Sequence, residues 1–400
     1  MIHVGDDGYI AYAGIQGKLY YKRVLRTALP FALASLALLV SVVAQRPAPP
    51  PPLRSPEVHA DRTVTFRFRA PAARQVELML EGEAKPEPMQ RDAAGVWTLT
   101  VGPLLPEYYG YSFVADGVPL LDPDNPLIKP NLLNPQSMVL VPAADPEPWE
   151  ATDVPHGVVE HRFYRSAVVG DNRDYYVYTP PGYDARAKTR YPVLYLLHGY
   201  SDDASGWTSV GRANYILDNL IAQGRVQPMV VVMTLGYGTP QMLAYGWNSW
   251  SHPELVSENL VRYRQALLTE VIPQVEAAYR VKTDRDDRAI AGLSMGGAES
   301  LYVGLNDLDR FSWIGSFSAG GLAKDFATQF PNLSAAANRQ LHLLWIACGT
   351  SDALLAPNRA FRAWLTSLGI RHTDIETPGR HTWLVWRDNL VHFLPLLFRN

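Results

Sequence analysis

The chain has 400 residues, enough for at least one large core and, by length alone, for two or three domains. Hydrophobic residues make up 47% and charged residues 19%, and a formal net charge of −3 leaves no basic field that would hold nucleic acid or an anionic membrane. The single cysteine, Cys348, excludes an internal disulfide and any multi-cysteine metal site; it follows a strand-like run, which suits a buried thiol.

In chain order, a basic patch at residues 22–27 precedes the apolar run Ala28 to Ala44, which ends Ser41-Val42-Val43-Ala44. Basic residues, an apolar run and small residues at a cut after Ala44 predict a secretory signal over residues 1–44 and a mature chain that is secreted or periplasmic. The 17 apolar residues also touch the lower limit for a membrane anchor. The first twenty residues suit neither reading, as if the true start lay downstream. Residues 45–54 form a proline-rich, semi-rigid linker.

A period of two follows, the mark of half-buried strands. Val64, Phe66 and Phe68 alternate with Thr65 and Arg67, and similar runs include Val76, Leu78 and Leu80, then Trp97, Leu99 and Val101, then Tyr109, Tyr111 and Phe113. Asp116-Gly117 is a tight-turn signal. Residues 55–143 are therefore expected to form a small all-β, immunoglobulin-like sandwich. Residues 144–157, rich in Pro, Asp and Glu, read as a second linker.

From 158 to 400 strands alternate with helices. Tyr175–Tyr178, Val193–Leu197, Met229–Met233, Ala289–Leu293, Trp313–Phe317, Leu343–Ala347 and Thr373–Thr377 read as strands. Arg212–Ala222, Asn259–Tyr279, Ala298–Leu305 and Arg359–Leu368 read as helices, the second kinked at Pro273. Most of the strands are near-continuously apolar, as parallel strands buried on both faces must be. The expected fold is α/β, an open, doubly wound, mostly parallel sheet.

The chemistry-bearing signal is Gly292-Leu293-Ser294-Met295-Gly296-Gly297. A Gly-x-Ser-x-Gly match arises by chance in roughly one protein in seven of this length, so the weight rests on its context between a strand and a helix. A serine there sits on a sharp turn with its hydroxyl pushed out above the sheet, and glycines are needed two positions either side. Ser318 is the nearest rival but lacks them. The hydroxyl needs a base, and in such a site the acid and then the histidine follow the serine in the chain. His381, in the turn after Thr373–Thr377, stands at the sheet edge where ligands bind; His372 precedes that strand and falls at the opposite end. Asp352, just after Leu343–Ala347, is the expected acid, with a helix N-cap as the alternative role. The oxyanion donors are expected to be the backbone N–H groups of Met295 and Tyr200, with Gly199 as second choice to Tyr200.

At these residues the chain resembles the esterase D/feruloyl esterase family, carbohydrate esterase family 1. The matching stretches are Tyr178–Tyr183, Tyr191–Gly199, Gly292–Gly297, Gly349–Asp352 and His381–Arg387. The resemblance implies an α/β-hydrolase fold over residues 158–400, with nucleophile, acid and base falling on Ser294, Asp352 and His381. Residues 55–143 are similar to a CBM48-like early-set domain, whose end Asp122-Pro123-Asp124-Asn125-Pro126 resembles; either glycan binding or a rigid shoulder on the cleft is expected of it. Trp97, Tyr108 and Tyr109 would stack on sugars or fill its core.

The implied reaction is release of a hydroxycinnamate, or a similar acyl group, from plant cell-wall arabinoxylan through an acyl-serine intermediate. Acetyl-xylan esterase and enterochelin esterase are the runners-up, with an acyltransferase or a non-catalytic glycan-binding protein as other classes. Trp207, Tyr237, Trp247, Trp250 and Trp383 are expected to clamp a phenyl ring or a sugar, or else to pack. The expected partner is a small acyl ester or acylated polysaccharide. No metal or organic cofactor is expected, since neither a phosphate-binding glycine fingerprint nor a His-Glu-x-x-His pattern occurs.

Overall fold

A computed structural model describes residues 9–13, 19–23 and 51–399. The two short segments pair as antiparallel strands, Tyr9 opposite Arg23 and Ala13 opposite Leu19. The expected signal run Ala28–Ala44 and the linker up to Pro50 lie outside the described residues. Residues Leu53–Asn400 form one compact unit.

Its first part is a two-sheet sandwich. Glu57–Val58, Val64–Arg69, Val96–Val101 and Gln90–Arg91 make a four-stranded antiparallel sheet. Facing it, Ile128–Lys129, Gln136–Val141, Glu107–Ala115, Val76–Leu80 and Glu87–Pro88 pair in that order, with Val118–Leu120 also on Glu107–Ala115. The period-two residues fill the space between: Phe66 meets Tyr111 edge-on and Phe68 stacks on Phe113, each at 4.7 Å between ring centroids. Trp97 and Tyr109 are buried in this core, their polar ends bonded to the carbonyls of Ala70 and Leu105. Neither is exposed to stack on a sugar. Asp122 is buried too, accepting hydrogen bonds from Ser55 Oγ and Tyr111 Oη, both at 2.7 Å. The segment after it returns as the strand Gln136–Val141, so Asp122–Pro126 is an internal brace and does not end the module.

The expected linker 144–157 is fastened down. Trp149 is buried, Asn219 donates to the carbonyls of Pro148 and Glu150, and Asp218 holds the Gly157 N–H and His156 Nδ1.

The second part is an eight-stranded sheet: β1 (Val158–Arg165), β2 (Asn172–Thr179), β3 (Val193–Leu197), β4 (Val230–Thr234), β5 (Arg288–Leu293), β6 (Trp313–Phe317), β7 (Leu343–Gly349) and β8 (Thr373–Thr377). The order is β1-β2-β4-β3-β5-β6-β7-β8, antiparallel at β1–β2 and β2–β4 and parallel from there on. Strands β3 to β6 are buried at every residue, which is why their sequences run apolar without alternation. Strand β1 has no counterpart among the sequence-predicted strands. Its exposed residues mix the charged Glu160, Arg162 and Arg165 with the apolar Val158, Val159 and Phe163.

Helices α1 (Ala213–Ala222), α2 (Pro253–Ala266), α3 (Ile272–Ala278), α4 (Met295–Asn306), α5 (Leu355–Ser367) and α6 (Trp383–Phe393) cover the two faces. Leu194, Leu196 and Val231 point to the layer with α1 and α6, and Tyr195, Leu197 and Val232 to the layer with α2, α3 and α4. Helix α2 starts six residues before the expected Asn259, because Pro253 and Glu254 make a good first turn. The expected kink at Pro273 is a π-turn, Leu267–Val271: proline lacks the N–H for the carbonyl four residues back, so the helix widens there.

The two parts are locked by Arg387 of α6. Its guanidinium, fully buried, pairs with Glu107 of the sandwich and reaches the Tyr108 carbonyl at 3.3 Å, while the Tyr108 ring also meets the guanidinium of Arg212 at 4.9 Å. Leaving one member of a buried pair alone costs about 3–5 kcal/mol. Arg387→Ala should therefore lower the stability of the 53–400 unit by about that amount, read as the shift in a urea unfolding midpoint. A shift corresponding to less than about 1 kcal/mol would show that the junction is not held this way.

Candidate active site

Strand β5 runs buried into Ser294, and α4 begins at the next residue. To make that turn Ser294 takes φ 51° and ψ −116°, a positive φ unusual for a residue with a side chain. The flanking glycines have steric reasons. A Cβ on Gly292 would lie 2.5 Å from the Gly296 carbonyl oxygen, and one on Gly296 would lie 2.4 Å from that of His198. The turn is pinned by Ser294 N–H to Phe317 O at 2.8 Å and by Gly296 N–H to His198 O at 3.1 Å.

The structure brings the three expected side chains together at the carboxyl ends of the parallel strands. His381 Nε2 lies 2.9 Å from Ser294 Oγ, and His381 Nδ1 lies 2.8 Å from Asp352 Oδ2. Asp352 is buried and its other oxygen accepts the Leu354 N–H at 2.7 Å. Burial alone would raise this carboxyl, but the hydrogen bond and charge of His381 and the Leu354 N–H outweigh it and hold the group below its ordinary range. An ionised Asp352 accepts from Nδ1–H, which leaves Nε2 as the acceptor for the serine proton. Asp352 is not the N-cap residue of α5, a place taken by Leu354.

The oxyanion segment is built with equal care. Gly199 lies against the nucleophile: a Cβ there would be 3.2 Å from Ser294 Cβ. His198 is buried, which pushes its imidazole toward the neutral form. Its Nε2 accepts the Gly236 N–H at 2.9 Å, so the ring proton sits on Nδ1 and is donated to Gly199 O at 2.7 Å. Because carbonyl and N–H of one trans peptide point in opposite directions, fixing Gly199 O away fixes the Tyr200 N–H as well. No hydrogen bond within the described residues takes up the N–H of Tyr200 or of Met295.

Ser294 and His381 open into a cavity of about 540 Å³. Trp247 and Trp250 line it, each meeting the Tyr200 ring edge-on at 5.0 and 5.1 Å, and Trp383 and Trp386 line it beside His381. Two expected substrate residues are placed elsewhere. Trp207 is fully buried, its indole N–H bonded to Leu197 O and its ring packed on Trp383. Tyr237 is buried beneath the oxyanion segment, its hydroxyl bonded to Asp202 O and its ring near His198 and Tyr200. Both support the wall from behind. The sandwich supplies part of the lining, through Glu81, Lys129, Asn131, Asn134 and Gln136. No local pattern in the sequence points to these five.

A hydroxyl, an imidazole and a carboxylate in relay at the carboxyl rim of this sheet define an α/β-hydrolase. The family model described as putative esterase matches residues 166–397, and the chain belongs to that family. It is 30% identical over 354 residues to an endo-1,4-β-xylanase/feruloyl esterase of Xylanibacter ruminicola, covering 86% of this chain and 46% of that one. It is 26% identical over 267 residues to an esterase of Mycobacterium tuberculosis, covering 56% and 55%. The chain thus spans about half the length of these curated relatives. Among solved structures, a ferulic acid esterase from Anaeromyces mucronatus matches at 23% identity and a TM-score of 0.55 over 62% of this chain and 93% of that one. An enterobactin esterase from Shigella flexneri matches at 21% and 0.63 over 83% and 92%. At these identities the likeness is one of fold.

Two outcomes follow from the geometry. Asp352→Asn should keep the fold and lower kcat for an activated ester about 10⁴-fold, since an amide can hold the imidazole in the wrong tautomer. A loss under tenfold would remove Asp352 from the relay. Asp202, buried in the cavity wall, has its carboxyl pushed up to about 7 by burial, against the pull of Lys129 and Asn131. An acid whose folded value is raised stabilises the fold below its unfolded value and loses that contribution as pH rises through about 7. The melting temperature should therefore fall between pH 5 and 8, and Asp202→Asn should flatten that slope; an unchanged slope would contradict the assignment.

Proposed function

We propose that this chain hydrolyses carboxylic esters through an acyl-serine intermediate, and that its substrates are hydroxycinnamate esters of plant cell-wall arabinoxylan. The observation that carries the chemistry is the unbroken relay from Ser294 Oγ to His381 to Asp352, at 2.9 and 2.8 Å. Ser294 attacks the ester carbonyl as His381 takes its proton. The oxyanion that forms is held by the N–H groups of Met295 and Tyr200, both free of other partners among the described residues. His381 then returns the proton to the departing alcohol, activates water, and the acyl-enzyme is cleaved by the same steps in reverse.

Support for the acyl group comes from Trp247 and Trp250 beside Tyr200, flat surfaces suited to a phenyl ring. The Xylanibacter relative carries a feruloyl esterase name. A second reading, a siderophore trilactone esterase, draws on the enterobactin esterase fold match, which extends over 83% of the chain. Export follows from the basic and apolar run before Ala44, and the sandwich, which we read as CBM48-like, would then meet wall polysaccharide outside the cell.

Purified chain should release ferulate from methyl ferulate, and Ser294→Ala should lower that rate by about 10⁴-fold or more while leaving the melting temperature near that of the parent. Retained hydrolysis in the variant would overturn the mechanism. A higher kcat/KM on a catechol trilactone than on methyl ferulate would overturn the substrate class and leave the mechanism standing.

A further inference from the structure

The five sandwich residues in the cavity wall ask for a ligand of their own. Three of them converge on one point: a Cβ on Gly110 would lie 2.9 Å from Glu81 Oε2 and 3.0 Å from both Gln136 Oε1 and Lys129 Cδ. Glu81 accepts the Gly110 N–H at 2.8 Å and the Trp383 N–H at 3.0 Å, and pairs with Lys129 at 3.2 Å. Trp383 is two residues past His381. The wall is thereby bolted to the loop that carries the base.

The chemistry of the relay says which half of the substrate lies there. His381 protonates the leaving oxygen, so the alcohol departs on the His381 side of the nucleophile. The acyl oxygen sits at the Met295 and Tyr200 N–H groups, and Trp247 and Trp250 flank Tyr200. The sandwich wall, tied to Trp383 through Glu81, therefore lies on the alcohol side together with Trp386, and Trp247 and Trp250 lie on the acyl side.

The charges say what kind of alcohol. Lys129 is neutralised by Glu81, and Asp202 lies in the same wall, so no unpaired Lys or Arg among the described lining residues waits for a carboxylate or phosphate. Asn131 is spent on Ser201 and Asp202, with which its amide bonds at 2.9 and 3.0 Å, and its carbonyl accepts the Asn134 N–H. The side-chain amides of Asn134 and Gln136 take part in no hydrogen bond among the described residues, yet both line the cavity. Each offers a donor and an acceptor side by side, the arrangement that matches neighbouring hydroxyls.

We propose that Asn134 and Gln136 of the sandwich form a subsite for the alcohol half of the ester, and that this half is a neutral sugar. The inference deepens the proposed function and rests on its assignment of His381 as the base. The sandwich is then part of the active site and sets its selectivity.

The test measures a ratio: kcat/KM on 5-O-feruloyl-arabinofuranose over kcat/KM on methyl ferulate, for the parent and for N134A/Q136A. The acyl group is common to both esters, so the ratio isolates the alcohol. The parent should prefer the sugar ester, and the double variant should lose roughly tenfold to hundredfold of that preference, from two hydrogen bonds removed. A purely structural role for the two amides would lower both rates together and leave the ratio where it was, which overturns the proposal. No preference in the parent does the same, while leaving the feruloyl reading intact. If neither ferulate ester is cleaved, the feruloyl reading fails. The subsite is then judged by whether arabinoxylo-oligosaccharide inhibits p-nitrophenyl acetate hydrolysis in the parent and more weakly in the double variant; no inhibition in the parent, or equal inhibition in both, overturns it.

Discussion

The site depends on one turn of backbone. Between β5 and α4 the chain must reverse within a single residue, and Ser294 carries the positive φ that makes this possible. A non-glycine residue in such a conformation costs of order 1–3 kcal/mol, so the surroundings must over-determine it. They do so by three backbone hydrogen bonds to the ends of two neighbouring strands, β6 and β3. Phe317 at the end of β6 accepts the Ser294 N–H, His198 after β3 accepts the Gly296 N–H, and Ser294 itself accepts the Gly320 N–H. The same bonds that hold the strained serine bring the oxyanion segment and the loop after β6 up against it.

That shared bracing explains why so much of the site was legible in sequence. Gly292 and Gly296 are required by contacts of about 2.5 Å with backbone, which no other residue could relieve, so the motif is written in the chain without slack. The fully buried strands β3 to β6 had to be continuous apolar runs, and the loops after β3 and β5 start where such runs stop, as does the loop after the nearly buried β7, whereas β8 is largely exposed and was read from its place after helix α5. Chain order and strand position together were enough to place Asp352 and His381. Edge strand β1 was missed for the opposite reason: it is exposed along nearly its whole length, and exposure leaves no periodicity to read.

The aromatic residues show where such reading stops. Trp207, Tyr237, Trp247, Trp250 and Trp383 all fall in loops or helix ends near the carboxyl rim, and sequence position cannot say which way a ring turns. Trp207 and Tyr237 turn inward because a backbone carbonyl waits there for the indole N–H and the phenol hydroxyl, those of Leu197 and Asp202. A buried polar tip with a partner is stable, and one without is costly, so the partner decides the rotamer. Nothing near Trp207 in the chain announces that partner. The sandwich side of the cavity was hidden for a related reason, since Glu81 and Trp383 are 302 residues apart and meet only in the folded unit.

The junction between the two parts then takes on a different meaning. Arg387 and Glu107, both buried, are a demanding way to join two modules, because each charge must give up its water and is compensated by the other together with the Tyr108 N–H on Glu107 and the Val210 and Tyr108 carbonyls on Arg387. Apolar contacts also cross the junction, Met138 and Tyr108 into the core beside α6 and Leu384 into that of the sandwich, but contacts of that kind tolerate small shifts. A charge pair with the Tyr108 carbonyl as a further acceptor fixes position as well as contact, and Arg387 lies on the same helix that begins at Trp383, held by Glu81. Two polar tethers one turn apart on α6 set the sandwich at a fixed distance from His381. The five sandwich residues that line the cavity are thereby kept in register with the loop that carries His381.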